Sequence, residues 1–158
     1  MDTISLRFTN NFAPECGTIE AHETIIREKG YVWYGKMGTA VSKKAAEMIM
    51  ANKEPKFLLI HSGYPERYWV YVEEISKNTP KPSEFPSYYA DKADRIGTWF
   101  KVTKFENANS DIMSKCSVLS SGASLSEASK HSMSPYFMIH VAETNKYDWE
   151  LIKWRLAY

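Results

Sequence analysis

Two short apolar runs, residues 57–60 (FLLI) and 68–72 (YWVYV), separated by His61, Ser62, Gly63, Tyr64, Pro65, Glu66 and Arg67, constrain this chain most. Aliphatic, β-branched and aromatic residues in runs this short suit a pleated surface, and a connection holding Gly63 and Pro65 reads as a long-looped hairpin. An antiparallel pair is therefore expected at the centre of the fold, with Leu59 directed into the core.

The flanking sequence adds strands and short helices to that pair. Ile4, Leu6 and Phe8 alternate with polar residues, the period of a half-buried first strand. Ile19, His22, Ile25 and Ile26 share one helical face between Thr18, read as the cap, and Gly30, read as the stop. Residues 31–36 are aromatic and β-branched and predict a strand ending at Gly35. Ser42 caps a second helix reaching about Asn52, with Ala45, Ala46, Met48 and Ile49 on its apolar side. Pro80, Pro82 and Pro86 exclude a regular helix or central strand over residues 77–86, and a loop of that length is often functional. Residues 98–105 (TWFKVTKF) return to strand character. Ser124 or Ser126 starts a short helix to about His131, and YFMIHV after Pro135 forms another strand. Between strand and helix, the pattern of residues 149–156 does not decide.

The expected fold class is thus α+β: a small mixed β-barrel or curled sheet with flanking short helices. No internal repeat or second hydrophobic core interrupts the 158 residues, so one domain over residues 1–158 is expected. A net charge of +1 argues against a field that tracks a long phosphate backbone. The first ten residues lack a basic segment followed by an apolar one, and no stretch is long and apolar enough to span a bilayer. With only Cys16 and Cys116 there is no disulfide framework, so a reducing cytoplasm is the expected location, without membrane attachment.

Most chemical motifs fail on their own terms. Residues 30–36 (GYVWYGK) match the start of a phosphate-binding loop, but Met37 stands where Ser or Thr should hold magnesium, and bulky residues fill the positions that should bare backbone amides. His22, His61, His131 and His140 lack the close pairings of metal sites, and no metal or other cofactor is expected. Cys116 with His131 is the one conceivable thiolate–imidazole pair, although a lone cysteine in a reduced protein is more often inert core. Glu73 and Glu74 point to opposite sides of a strand and cannot act as a carboxylate pair. His61-Ser62-Gly63 is more informative, because it leaves the strongest strand where side chains emerge at a sheet's end. Aromatics are also abundant, at 14%, and alternation puts Tyr31 and Trp33 on one face and Tyr34 on the other, leaving one face for core and one for stacking.

The order of these segments resembles the PUA-like superfamily of small barrels, in particular its EVE and YTH-related branches. The resemblance covers about Gly30 to Val141 and is carried by VWYG, by FLLIHSG with YWVYVEEI, by TWFKV and by SMSPYFMIHV. It implies a curled sheet whose cleft accepts one base, often modified and flipped from DNA or RNA, without catalysis by the domain itself. EVE proteins usually open with a Trp-bearing strand and a Ser-Glu-Pro turn. MDTISLRFTNNFAPE has neither, so ligand identity does not carry over.

A base pocket needs aromatic walls, small polar rim groups and nearby positive charge. The expected ligand-binding residues are Trp33, Tyr34, His61, Ser62, Trp99, Ser132 and Ser134, with Lys36, Lys43, Lys44, Arg95 and Lys101 as phosphate neighbours. The leading reading is a non-catalytic module for nucleic acid or a nucleotide. A module that binds or inhibits another protein, and a small enzyme with His61 as general base, remain alternatives. A hydrogen-bonded His61–carboxylate pair distinguishes the last.

Overall fold

The computed structural model of the chain describes residues 1–142, so residues 149–156 lie outside the described part. Numbered in chain order, its strands are β1 (Asp2–Phe8), β2 (Val32–Met37), β3 (Lys56–His61), β4 (Arg67–Ser76), β5 (Ile96–Asn107), β6 (Cys116–Val118) and β7 (Tyr136–Val141). The helices are α1 (Thr18–Lys29), α2 (Lys43–Met50) and α3 (Leu125–His131). One seven-stranded sheet runs in the order β2-β5-β4-β3-β1-β7-β6. The central hairpin is antiparallel as expected, with Phe57 opposite Val70 and Leu59 opposite Tyr68. β1 runs parallel to β3 and antiparallel to β7.

This sheet is curled but not closed. Lys36 at the end of β2 stands over the Tyr136 ring of β7, with Nζ 5.6 Å from its centroid, and the Ser42 amide donates to the Tyr136 hydroxyl. No ladder joins β2 to β7 among the described residues. The concave face holds the main core, where Ile4, Leu6, Phe57, Leu59, Val70 and Phe100 meet Ala45 and Ile49 of α2. On the other face Leu58, Ile60, Trp69 and Ile139 pack with Leu125 of α3 and with Ile112.

β1 departs from expectation. Thr3 and Ser5, on its expected solvent face, are 0% and 1% exposed, because β3 and β7 flank the strand and the second apolar cluster covers that side. The Thr3 hydroxyl donates to the Lys56 carbonyl and so keeps one polar group satisfied there. Helix starts also differ in detail. Ser42 and Ser124 cap as expected, accepting from the amides of Ala45 and Glu127. Thr18 is not a cap but the first helical residue. Its amide donates to Asn10 Oδ1 at 2.9 Å, since the preceding Gly17, at φ 91°, has no side chain to offer. α2 stops at Met50, short of Asn52, whose side-chain amide turns back onto the carbonyls of Met48 and Ile49. The three-residue β6, within an otherwise polar stretch, has no period to reveal it.

The proline-rich segment folds into three short 3₁₀ turns, Pro82–Glu84, Ser87–Tyr89 and Ala93–Arg95, that wrap the β2 edge. His22, fully buried on α1, pins them: its Nδ1–H donates to the Thr18 carbonyl at 2.7 Å and its Nε2 accepts from the Tyr89 hydroxyl at 3.0 Å. A carbonyl can only accept, so this geometry fixes a neutral tautomer. Burial holds the His22 pKa down to about 4, with the Thr18 bond opposing it in part.

Two outcomes follow for stability. Leu59→Ala, at a fully buried position, should cost about 2–5 kcal/mol, read as a lower denaturation midpoint at unchanged slope. His22 binds its proton less readily folded than unfolded, so its contribution is intact above pH 6.5 and is lost as pH falls toward about 4. That loss is on the order of 3 kcal/mol. Urea midpoints of the parent and of His22→Phe should therefore converge on acidification through this window, and parallel curves would assign the pH dependence to other groups.

Candidate functional site

β1 and β3 end side by side, with Phe8 opposite His61 and the Ser62 amide donating to the Phe8 carbonyl at 3.0 Å. Beyond these ends the chain diverges into the β1–α1 loop and the β3–β4 turn. The divergence leaves a cavity of about 230 Å³ facing the end of β2. Phe8, Phe12, Tyr34, Tyr88 and Tyr89 supply its aromatic walls, and Ser62, Thr9 and Thr18 its small polar groups. Arg7, Lys36 and Lys92 also line it, and among the described residues no Asp or Glu does.

The wall is rigid where it joins the core. Tyr34 stacks at a tilt on His22, with centroids 5.0 Å apart, and the Tyr88 and Tyr89 rings lie 4.6 Å from each other. Burial pushes the phenols of Tyr34, Tyr88 and Tyr89 above the ordinary tyrosine value, so all three stay protonated. Phe12 is 60% exposed at the cavity mouth, with the Lys92 ammonium 5.0 Å from its ring.

Lys36 is only 4% exposed, yet among the described residues its ammonium meets just the carbonyls of Met37 and Thr39 and the Tyr136 ring. Desolvation lowers its pKa. Lys92, by contrast, is ion-paired to Asp91 at 2.9 Å. An ammonium has three protons, and two carbonyls leave Lys36 one donor for a ligand edge.

A groove of about 330 Å³ adjoins the cavity, and Arg7 and Ser62 line both. His61 and Gly63 belong to this groove; Gly63, at φ 78°, provides the left-handed residue of the turn. His61 is 8% exposed and lies between Phe8 and Tyr64, with both centroids 4.6 Å away. Its Nδ1 donates to the Ser62 carbonyl and its Nε2 accepts from the Asn10 amide at 3.0 Å. Asn10 also holds the start of α1, so His61 ties the two loops that frame the cavity. Among the described residues no carboxylate bonds to His61, and its one lone pair accepts from Asn10.

Of the expected site residues, the fold brings Tyr34, Lys36 and Ser62 to the cavity and His61 to the groove beside it. Trp33 and Trp99 are elsewhere. β2 alternates, so Trp33 faces away from Tyr34 into a separate cluster with Phe85, Tyr89, Ile96 and Trp99. Gly35 lets Trp99 and Ile96 press on that face, where a Cβ would stand 2.7 Å from Ile96 Cδ1. Lys101 shares this outer face, over the Tyr31 ring and near Glu73. Lys43 and Lys44 are exposed on the first turn of α2, Lys43 beside Glu47, and Arg95 is exposed in its 3₁₀ turn. The Ser132 hydroxyl accepts from the Ser134 amide and the Ser134 hydroxyl donates to the Tyr136 carbonyl, and neither residue lines the cavity or the groove; Pro135 lines the cavity and Ser129 the groove.

The sequence reading misses Arg7, Phe8, Phe12, Tyr88, Tyr89 and Lys92. Only the length of the proline-rich loop hinted at the tyrosines. Cys116 is buried, and burial pushes its thiol up to about 11, as suits inert core, while His131 is exposed next to Glu127. Among the described residues no group of His, Cys, Asp and Glu could hold a metal ion, and no helix is long and apolar enough to cross a membrane.

Comparison with known proteins agrees with this architecture. No curated protein and no solved structure matches the chain. The Pua-like family model matches residues 4–147, a span that includes every strand and helix described above except the first two residues of β1. By that match and by its curled mixed sheet with three short helices, the chain belongs to the Pua-like family.

Proposed function

We propose that this protein is a non-catalytic binding module that holds one nucleobase, ordinary or modified, in the aromatic cavity at the ends of β1 and β3. The observation that carries the reading is the composition of that cavity: five aromatic side chains, small polar rim groups and the buried Lys36. A base offers two π-faces and a hydrogen-bonding edge, and these are the groups that complement it. At about 230 Å³ the space falls below the roughly 300–1,000 Å³ of pockets for drug-sized ligands, which suits a single flat ring system. The likeness of the central segments to the EVE and YTH-related branches supports a base flipped from DNA or RNA. The spare donor of Lys36 favours a base with an acceptor, such as a ring carbonyl, at that edge.

Phe12 and Trp33 separate wall from core. Phe12 is largely exposed, so Phe12→Ala should leave stability within about 0.5 kcal/mol of the parent. The lost stacking, worth about 1–3 kcal/mol, should weaken base binding by roughly 5–150-fold. Trp33→Ala should instead cost about 3–5 kcal/mol of folding and leave the affinity of the folded fraction intact. Calorimetric titration with unmodified and methylated nucleosides, alongside denaturation curves, measures both. Normal binding by Phe12→Ala, or selective loss of binding by a stable Trp33→Ala, would put the base elsewhere.

Lys36→Met offers an independent check. It removes a buried, desolvated cation whose two carbonyl partners belong to exposed residues, so stability should hold or rise while binding falls. A variant that loses stability and keeps its affinity would make Lys36 a structural residue.

A further inference from the structure

We infer that the groove beside the aromatic cavity is a phosphate site, so that the ligand is recognised as a nucleotide through its base and its own phosphate together. The inference rests on the base reading above and extends it to the half of the ligand that the cavity is too small to hold.

Two guanidinium groups from different strands, Arg7 of β1 and Arg67 of β4, line this groove together with His61, Ser62, Tyr64 and Ser129, and no Asp or Glu among the described residues lines it. Both arginines are partly buried, where an uncompensated cation is costly, yet neither forms an ion pair among the described residues. Surface cations here do find carboxylates: Arg27 meets Glu20, Lys104 meets Glu106 and Lys115 meets Asp111. The partners of Arg7 and Arg67 are neutral. Arg7 Nη2 donates to the carbonyls of Ser129 and Ser132 at the end of α3, at 2.7 and 2.8 Å. Arg67 Nη1 donates to the carbonyls of Tyr64 and Glu66, and its Nε to the Met113 thioether. Glu66, the exposed neighbour in sequence, acts on Arg67 through space without an ion pair, and desolvation lowers the Arg67 pKa more than Glu66 raises it.

This arrangement orients both forks and leaves donors unspent. Arg7 Nε is buried with no hydrogen-bond partner, and neither Arg7 Nη1 nor Arg67 Nη2 has a partner among the described residues. Guanidinium groups fixed by carbonyls, with free N–H groups and no competing carboxylate, match the oxygens of a phosphate. The site also sits where a nucleotide needs it. Arg7 and Ser62 border cavity and groove alike, so a base in the first places its sugar–phosphate beside the second. The lysines and the arginine expected from sequence as phosphate neighbours, Lys43, Lys44, Arg95 and Lys101, line neither space.

The test titrates the full chain with each nucleoside, with its 5′- and 3′-monophosphates, and with inorganic phosphate against chloride at matched ionic strength. For the base that binds best, one monophosphate should bind about 10-fold or more tighter than the nucleoside, the range of hydrogen bonds to a charged group. Arg67→Gln should erase that increment while keeping nucleoside affinity, and Arg67→Lys, charged but without the fork, should retain only part of it. Inorganic phosphate should bind the parent and not Arg67→Gln. Equal affinity for nucleoside and both monophosphates, or an increment that survives Arg67→Gln, overturns the phosphate site and leaves the base reading standing. Phosphate binding that depends on Arg67, with no nucleoside bound, upholds the phosphate site and overturns the base reading. Silence of phosphate, nucleosides and nucleotides alike overturns both.

Discussion

The parallel pairing of β1 with β3 is the constraint on which the rest of this structure depends. It takes the first strand into the middle of the sheet, between β3 and β7, and buries both of its faces. A parallel pair cannot be joined by a tight turn, so the chain must cross from one strand to the other through α1, β2 and α2. Two consequences follow at the far ends of the pair. Chains diverging from adjacent parallel strands leave a crevice, and residues otherwise destined for solvent, Arg7 and Ser62 among them, become its lining.

Around that crevice the protein balances order against exposed polarity. His22, neutral and fully buried, ties α1 to the 3₁₀ turn that carries Tyr88 and Tyr89, and His61 with Asn10 ties the β1–α1 loop to the β3–β4 turn. Both histidines act as two-ended hydrogen-bond bridges and so fix the walls. Positive charge comes separately, from Lys36 in the cavity and from Arg7 and Arg67 in the groove, none of them ion-paired among the described residues. Burying such cations is costly. Their concentration in two adjoining spaces that no described carboxylate lines is what sets this surface apart in a chain of net charge +1.

Local chemistry made much of the fold legible in the sequence. The central hairpin, the Ser42 and Ser124 caps, the Gly30 stop of α1 and the strand after Pro135 all follow from patterns spanning a few residues. What failed depends on partners distant in sequence. Thr3, Ser5 and Arg7 alternate with apolar residues and read as a wet face, because nothing nearby reveals that β3 and β7 will flank them. Trp33 and Tyr34 show how sharply a site depends on side-chain direction. Alternation separated them correctly, but which face was core and which was cavity depends on the proline-rich loop folding over Trp33. The same loop delivers Tyr88 and Tyr89 to the cavity, and no period in the sequence announces it.

The central claim is that a base enters the crevice beyond β1 and β3 and not the Trp33 face of the sheet. Backbone amide and indole NMR spectra of isotope-labelled protein, recorded during titration with a nucleoside or nucleotide that binds, test it most directly. The account predicts shifts concentrated at Thr9, Phe12, Lys36, Ser62 and Tyr88, with the Trp33 indole and the amide of Lys101 unmoved. Shifts clustered instead at Trp33, Tyr31 and Lys101, with Ser62 and Tyr88 unchanged, would contradict it.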